Sequence, residues 1–375
     1  MTAWDDVADD GTHPDVLRAV VTSMAVDAAG LGNRWSQARR DGAALTEAVE
    51  AAVAACPADL DRAGVRAAEV WVRHDVRVSV LGDPVYPRRL MAFDRDDAPL
   101  IMARRGAWPA DGPTVAIVGS RRATAYGRGV AAWIAEACGE AGVRVVSGGA
   151  VGIDAAAHEA AHATRGGTTI VLGCGHDVPY PAPHATRGGL FERVSDCGGV
   201  LLSESLPGQS PKAHRVRARN RIVAGLADVV VVVEGGERSG ALLTAGAAAE
   251  LGLPVFAVPG DVRASGSAAP HRLLAEGVAL CRGPQDILDE LAVAASVGDE
   301  PAVDSLGLPP AVATALTERW PRPIAMDDLA ALSGTSTGAL LAALTRARMA
   351  GTIAQTGEGI VLRRQPSARA APGRR

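Results

Sequence analysis

Six short, β-branched apolar runs between residues 114 and 258 constrain this chain most: TVAIV (114–118), VRVVS (143–147), TTIVL (168–172), GVLLS (199–203), DVVVVVE (228–234) and PVFAV (254–258). A strand with one wet face alternates polar and apolar residues. These runs are apolar almost throughout, as parallel strands buried on both faces must be. Between the first two, Val130, Ile134, Ala137 and Ala141 follow the i, i+4, i+7, i+11 spacing that predicts the buried side of a helix. Strand and helix alternating across the segment give an α/β class: a doubly wound, Rossmann-like parallel sheet, with ligands expected beyond the carboxyl ends of its strands.

At 375 residues the chain has room for two to three domains. Residues 1–75 read as a small N-terminal helical domain, broken at Gly30, Gly32 and Pro57. Its AAGLGNRW segment (28–35) fits the G-x-G turn of a helix-hairpin-helix, which offers amides to a phosphate, and equally fits a plain interhelical turn. Residues 76–113 read as an extended, turn-rich connector leading the central domain, 76–292. A linker (293–308) precedes a compact unit at 309–364. There, helices near 310–318, 326–332 and 337–349 and a TIAQ–TGEG–IVLRR hairpin predict a winged helix. The tail, 365–375, is expected to be disordered.

The chain carries 38 basic and 42 acidic residues, a net of -4, which excludes a nonspecific polycation. Lys212 is the only lysine beside 37 arginines. Five cysteines without a C-x-x-C pair support neither a disulfide framework nor a cysteine zinc site. The acidic start MTAWDDVADDGTH lacks the basic-then-apolar order of a secretory leader, and no run of 18 apolar residues occurs. A cytoplasmic protein without membrane insertion is therefore expected. With aromatics at 3%, a ligand surface must rely on glycines, backbone amides and charge.

The first strand runs into Gly119, Ser120 and Arg121, a small-residue loop that exposes amides at a helix N-terminus beside a guanidinium suited to phosphate. Gly-Ser is also a common steric solution for such a turn. No G-x-G-x-x-G and no ribose-reading acid occur, which disfavours a dinucleotide cofactor. The second strand ends in SGGAVGIDAAAH (147–158), where Asp154 is placed as a helix N-cap. His158, Glu159 and His162 then match H-E-x-x-H, the zincin pattern, but Arg165 and Thr168 stand where the extended form needs Gly and His. In QSPKAHRVRARNRI (209–222), Lys212, Arg215, Arg217, Arg219 and Arg221 crowd five cations into ten residues with no acid, as a phosphate track would. After the fifth strand, Ser239, Gly240 and Thr244 either donate to a ligand or start a helix.

In order, IVGSR (117–121), SGGAVGIDAAAH (147–158), VLGCG with YP (171–181), LLSE (201–204), RNRIVAGL (219–226), VVVEGGERSGALLTA (231–245) and VFAVPG (255–260) resemble the DNA-processing protein A (DprA, or Smf) family. The resemblance covers residues 76–290. It implies a protein without catalytic turnover, metal or cofactor that binds and protects single-stranded DNA and forms homodimers. It further implies loading of the RecA recombinase during natural transformation or recombination, with single-strand-binding protein as a further partner. By resemblance, Gly119, Ser120 and Arg121 hold phosphates. Arg219, Asn220 and Arg221 belong to a basic pocket near Ser239 and Gly240, to which Lys212 and Arg215 add charge.

Three positions depart from the family pattern. Val216 and Arg217 stand where a Phe-Pro pair precedes the RNR triplet, removing a ring that would stack on a base. Ala213 occupies the family lysine position, so Lys212 or Arg215 substitutes for it only after a small shift. Ala269, Pro270 and His271 replace a Gly-x-Asn. Two other classes remain: a phosphoribohydrolase-like, nucleotide-cleaving enzyme of the same architecture, which needs a placed acid after the run of Gly235, Gly236, Ser239, Gly240 and Thr244, where none follows until Glu250, and a zinc protease on His158, Glu159 and His162. The C-terminal unit offers no base-reading residue among Thr335, Ser336, Thr337 and Gly338, so an accessory role is expected of it.

Overall fold

The computed structural model describes residues 3–9, 14, 17, 20, 21, 58–81, 83–93, 97–108, 112–296, 308–318, 324–334, 336–349, 353–356 and 359–362. The chain divides into two compact units, Met1–Leu288 and Asp289–Arg375.

Every one of the six apolar runs forms a strand: β3 (Thr114–Val118), β4 (Arg144–Ser147), β5 (Thr168–Leu172), β6 (Val200–Ser203), β7 (Val229–Val232) and β8 (Val255–Ala257). They pair in parallel in the order β6-β5-β4-β3-β7-β8. The chain winds outward from β3 through β4 to β6, then returns to the other side of β3 with β7. The carboxyl ends of β3 and β7 therefore flank the topological switch point. Ile117, Ile170 and Leu172 are fully buried or nearly so, each worth roughly 1.5–3 kcal/mol of transfer free energy.

The expected connector does more than connect. Arg77–Val80 and Ile101–Arg105 are strands β1 and β2, which extend the sheet antiparallel from β6, and Ala279–Leu280 (β9) extends it from β8. On the sheet's faces, α3 (Ala125–Glu140) packs on α4 (Ile153–Ala161); the short α5 (Ala182–Ala185) leads into α6 (Leu190–Asp196), which packs beside α4. The pair α7 (Ala213–Gly225) and α8 (Ala241–Glu250) packs together around Ile222, Ala224, Ala241 and Ala245, and α9 (Ala268–Ala275) and α10 (Pro284–Ser296) follow β8 and β9. The buried side of α3 is Gly127, Ala131, Ile134, Ala135 and Cys138. Of the predicted face only Ile134 lies in it; Val130 and Ala137 are half-buried and Ala141 is exposed, because the helix is rotated by about one position.

The expected boundary at residue 75 falls inside one hydrophobic cluster. Trp4 and Val7 of α1 (Ala3–Val7), with Leu17, Val20 and Val21, pack with Trp71 of α2 (Ala58–Arg73) against Val78, Ile101 and Ala103 of β1 and β2. Ala8 bridges Val78, and the Asp9 carboxylate, 1% exposed, accepts from Arg104 Nε (2.6 Å), Arg104 Nη2 (2.5 Å) and Trp108 Nε1 (2.7 Å). The 28–35 turn lies outside the described residues, as do most of the 293–308 linker and the whole tail. In the second unit, α11 (Pro310–Glu318), α12 (Met326–Ser333) and α13 (Thr337–Met349) precede the hairpin β10 (Ile353–Thr356) and β11 (Gly359–Leu362). Ile324 bridges Ile360 across a core of Val312, Leu329, Leu340 and Ile353.

Asp9→Ala leaves the Arg104 guanidinium without its carboxylate, so chemical denaturation should show a loss of about 3 kcal/mol. A loss below about 1 kcal/mol would mean that the N-terminal segment does not depend on this ion pair.

Candidate nucleic-acid interface

The loops after β3 and β4 meet backbone to backbone. Ile153 N donates to Ser120 O (3.2 Å), and Ser147 Oγ to Ile117 O (2.6 Å). Gly152, at φ +94°, leaves no space for a side chain, because a Cβ there would overlap Ser120 O. Gly152, not Asp154, caps α4; Asp154 lies in the first turn and accepts from Ala150 N at 3.3 Å. Above this junction Arg121 is exposed, and its side chain has no hydrogen-bonded or ion-paired partner among the described residues.

Beneath the junction lies Arg219. It is 5% exposed, donates Nη1–H to Val171 O (2.5 Å), and fills the space that a Cβ on Gly148 would take. Its Nε has no partner. Burial pushes the Asp154 carboxyl up and the Arg219 guanidinium down, while the attraction between the two opposes both changes. Arg219 thus supports the glycine loop from below rather than presenting its charge to solvent.

The other cations of α7 point elsewhere. Arg221 is bidentate on Glu204 (2.8 and 2.6 Å) and donates Nε–H to Asp97 O. Arg215 reaches Ser210 O (3.0 Å). The side chains of Lys212, at the helix start, and Arg217 are unpaired among the described residues. The continuous five-charge track expected from sequence is therefore not formed: a helix turns about 100° per residue, so alternate positions spread around it. Val216 packs on Gly173 instead of standing free. Asn220 Nδ2 donates to Gly240 O (3.1 Å), and Ser239 Oγ accepts from Ala241 N (3.2 Å), joining α7 to the start of α8. His271 bonds to Gly260 O (3.1 Å), closing the corner where the family pattern differs.

Glu234, just after β7, was not singled out by its sequence. It is 6% exposed, and its carboxylate accepts from Thr124 N (2.9 Å) and Thr124 Oγ1 (2.5 Å), while Thr124 Oγ1 caps α3 by accepting from Gly127 N (3.0 Å). The helix N-terminus expected to meet a phosphate already holds the protein's own anion. An acid ending a continuous apolar strand, VVVVVE, was the available signal.

The zincin pattern does not form a site. His158 is fully buried with Nδ1 on Thr168 Oγ1 (2.7 Å), His162 Nδ1 donates to Glu159 O (2.8 Å), and Glu159 pairs with Arg193. Among the described residues no three His, Cys, Asp or Glu gather as metal ligands.

The family model for DNA recombination-mediator protein A matches residues 77–292. The chain belongs to that family. The "Putative DNA processing protein DprA" of Mycobacterium tuberculosis is 49% identical over 187 residues, 50% of this chain and 47% of that protein. Protein Smf of Escherichia coli is 40% identical over 177 residues, 47% of this chain and 46% of that one. Against both relatives the match spans about half the relative's length. The X-ray structure of DprA from Streptococcus pneumoniae aligns with a TM-score of 0.52 at 32% identity, covering 66% of this chain and 85% of that chain. For DprA from Helicobacter pylori, a structure concerned with its single-stranded DNA binding mode, the TM-score is 0.50 at 26% identity, covering 57% and 95%. The mostly parallel sheet is thus the family's sheet.

Two buried histidines make this domain acid-sensitive. Burial pushes His158 down from 6.5 to about 3 and His176 down from 6.5 to about 4, the latter against the opposing pull of the Ala103 carbonyl. Between pH 6.5 and about 4 the unfolded chain therefore binds protons that the folded one refuses. Stability should be fully present above pH 6.5 and fall as pH drops, by about 1.4 kcal/mol per pH unit for each proton. Urea melts across this range check it: His158→Asn should remove one proton from the slope, and an unchanged slope would show that His158 is not a buried neutral ring.

Proposed function

We propose that the protein binds single-stranded DNA along the carboxyl ends of β3, β4 and β7, without catalytic turnover, and acts as a recombination mediator that hands the strand to RecA. The observation that carries this reading is the exposed, unpaired Arg121 set over the interlocked Gly119–Ser120 and Gly148–Gly152 loops. A guanidinium there meets a phosphate without first breaking an internal ion pair. Lys212 and Arg217 add unpaired charge, and Ser120, Ser239 and Asn220 add polar groups near the loops. Arg219 and Arg221 serve in this reading as supports, one under the glycine loop and one on Glu204. Membership of the recombination-mediator family supports the assignment, as does the likeness to DprA of H. pylori, whose structure concerns single-stranded DNA binding.

Glu234 argues against the nucleotide-cleaving alternative. The acid nearest the switch point has both oxygens engaged by Thr124, so it is not poised as a general acid, and its charge repels a mononucleotide phosphate from the start of α3. A strand held through Arg121 and the neighbouring loops avoids that repulsion. RecA, single-strand-binding protein and a second copy of the chain are the partners of this reading. Among the described residues no helix is long and apolar enough to cross a membrane.

Fluorescence anisotropy should show preference for single-stranded over duplex DNA, with affinity falling as salt rises, the log–log slope being about -0.7 per phosphate contacted. Arg121→Ala should weaken binding to all sequences alike and flatten that slope by about one contact, whereas His162→Ala should leave binding unchanged. Equal affinity for duplex, or no salt dependence, would sink the reading. Faster RecA nucleation on DNA coated with single-strand-binding protein tests the mediator step, and an unchanged nucleation rate would remove it.

A further inference from the structure

A second cleft, of about 250 Å³, opens beside α6 and is lined by His74, Arg105, His176, Arg187, Phe191 and Glu192 among others. Arg105 ends β2 and is half-buried; Arg187 is exposed in the loop before α6. Neither side chain has a hydrogen-bonded or ion-paired partner among the described residues. The one acid in the wall, Glu192, is engaged by the Gly188 backbone N–H. His176 donates Nε2–H to Ala103 O (3.1 Å) and stays neutral near pH 7, so the positive charge comes from the two guanidinium groups. Two arginines against a single carboxylate leave this small polar space with a net positive charge, and an anion bound between the guanidinium groups gains bidentate hydrogen bonds that neither now makes within the protein.

The cleft adjoins the strand-end site. Phe191 lines it and also packs against Gly149 in the glycine loop. His184 donates Nδ1–H to Gly149 O (3.0 Å) and meets the Phe191 ring edge-on, with centroids 5.7 Å apart. One layer of side chains thus separates the cleft from the loop under Arg121.

We propose that this cleft is a second phosphate-binding site, in which Arg105 and Arg187 grip one phosphate group with His74 at the rim. The phosphate comes either from a DNA strand continuing past the glycine loops or from a free nucleotide. The first source rests on the DNA-binding reading above; the second does not.

The test uses the full chain, the exposed-site variant Arg187→Glu, and the double variant Arg105→Gln/Arg187→Glu, each checked for an unchanged melting temperature. Binding of short and long oligothymidylates is followed by anisotropy against salt, and binding of thymidine monophosphate by calorimetry. If the strand supplies the phosphate, Arg187→Glu weakens the long oligomer roughly tenfold and flattens its salt slope by about 0.7. It leaves the short oligomer unchanged, while Arg121→Ala weakens both. If a nucleotide supplies it, thymidine monophosphate binds the wild type and Arg187→Glu abolishes that binding. Long-oligomer affinity and slope equal to wild type, together with no monophosphate binding sensitive to Arg187, overturn the proposal. Should the wild type bind neither oligomer, the DNA-binding reading fails by itself, and the monophosphate measurement alone decides the cleft. Should the double variant lose its fold, the exposed Arg187→Glu variant carries the test.

Discussion

The Glu234 carboxylate determines what the middle of this sheet can hold. In open α/β sheets the crevice between the ends of the strands at the switch point is the default ligand site, and the helix N-terminus beside it attracts anions. Here that N-terminus is satisfied from within, by a buried carboxylate on Thr124 N and Thr124 Oγ1. The interaction ties the end of β7 to the start of α3, beside the β3–β7 ladder that joins the two halves of the doubly wound sheet. The unpaired positive charge nearby lies instead on the exposed guanidinium of Arg121, beside the interlocked glycine loops, which is where the proposed reading places the strand.

A second internal charge works alongside it. Arg219 and Asp154 are both buried beneath the loop after β4, where neither would be stable alone and each offsets part of the other's desolvation. A buried guanidinium with its Nη1–H on Val171 O keeps the glycine loop at a fixed height above β5. In the proposed reading this rigid floor lowers the cost of binding a strand, because the loop need not be ordered at that moment.

The central sheet was legible in the sequence because burial on both faces leaves continuous β-branched runs, and all six became strands. The flanking strands were not. β1 alternates polar and apolar residues in VRVSV, and β2 ends in Arg104 and Arg105; both look like connector until the partners across the sheet are known. The glycine loops and Arg121 were legible as a strand-end constellation. The roles of the RNR cations were not, since charge density along a sequence does not reveal direction around a helix: Arg219 turns inward, Arg221 turns to Glu204, and Arg217 turns to solvent. Glu234 escaped notice for a related reason. An acid at the end of an apolar run reads as the solvent-exposed stop of a strand, and its helix partner lies 110 residues away in the chain.

These placements separate two uses of arginine that composition merges. Where the guanidinium meets a carboxylate or a carbonyl, as at Arg104, Arg219 and Arg221, it stabilises the fold, and its charge is spent. Where it meets neither, as at Arg121, Arg217, Arg105 and Arg187, its charge is available to a ligand. A net charge of -4 is therefore compatible with polyanion binding, since acids cancel structural arginines such as Arg104 and Arg221 locally and leave Arg121 and Arg217 unpaired among the described residues. Affinity built from a few such contacts, with Val216 packed on Gly173 and no ring free to stack there, leans on counterion release more than on base stacking. In the proposed reading, that balance suits a protein that holds a strand irrespective of its sequence and lets it go when a partner with more contacts arrives.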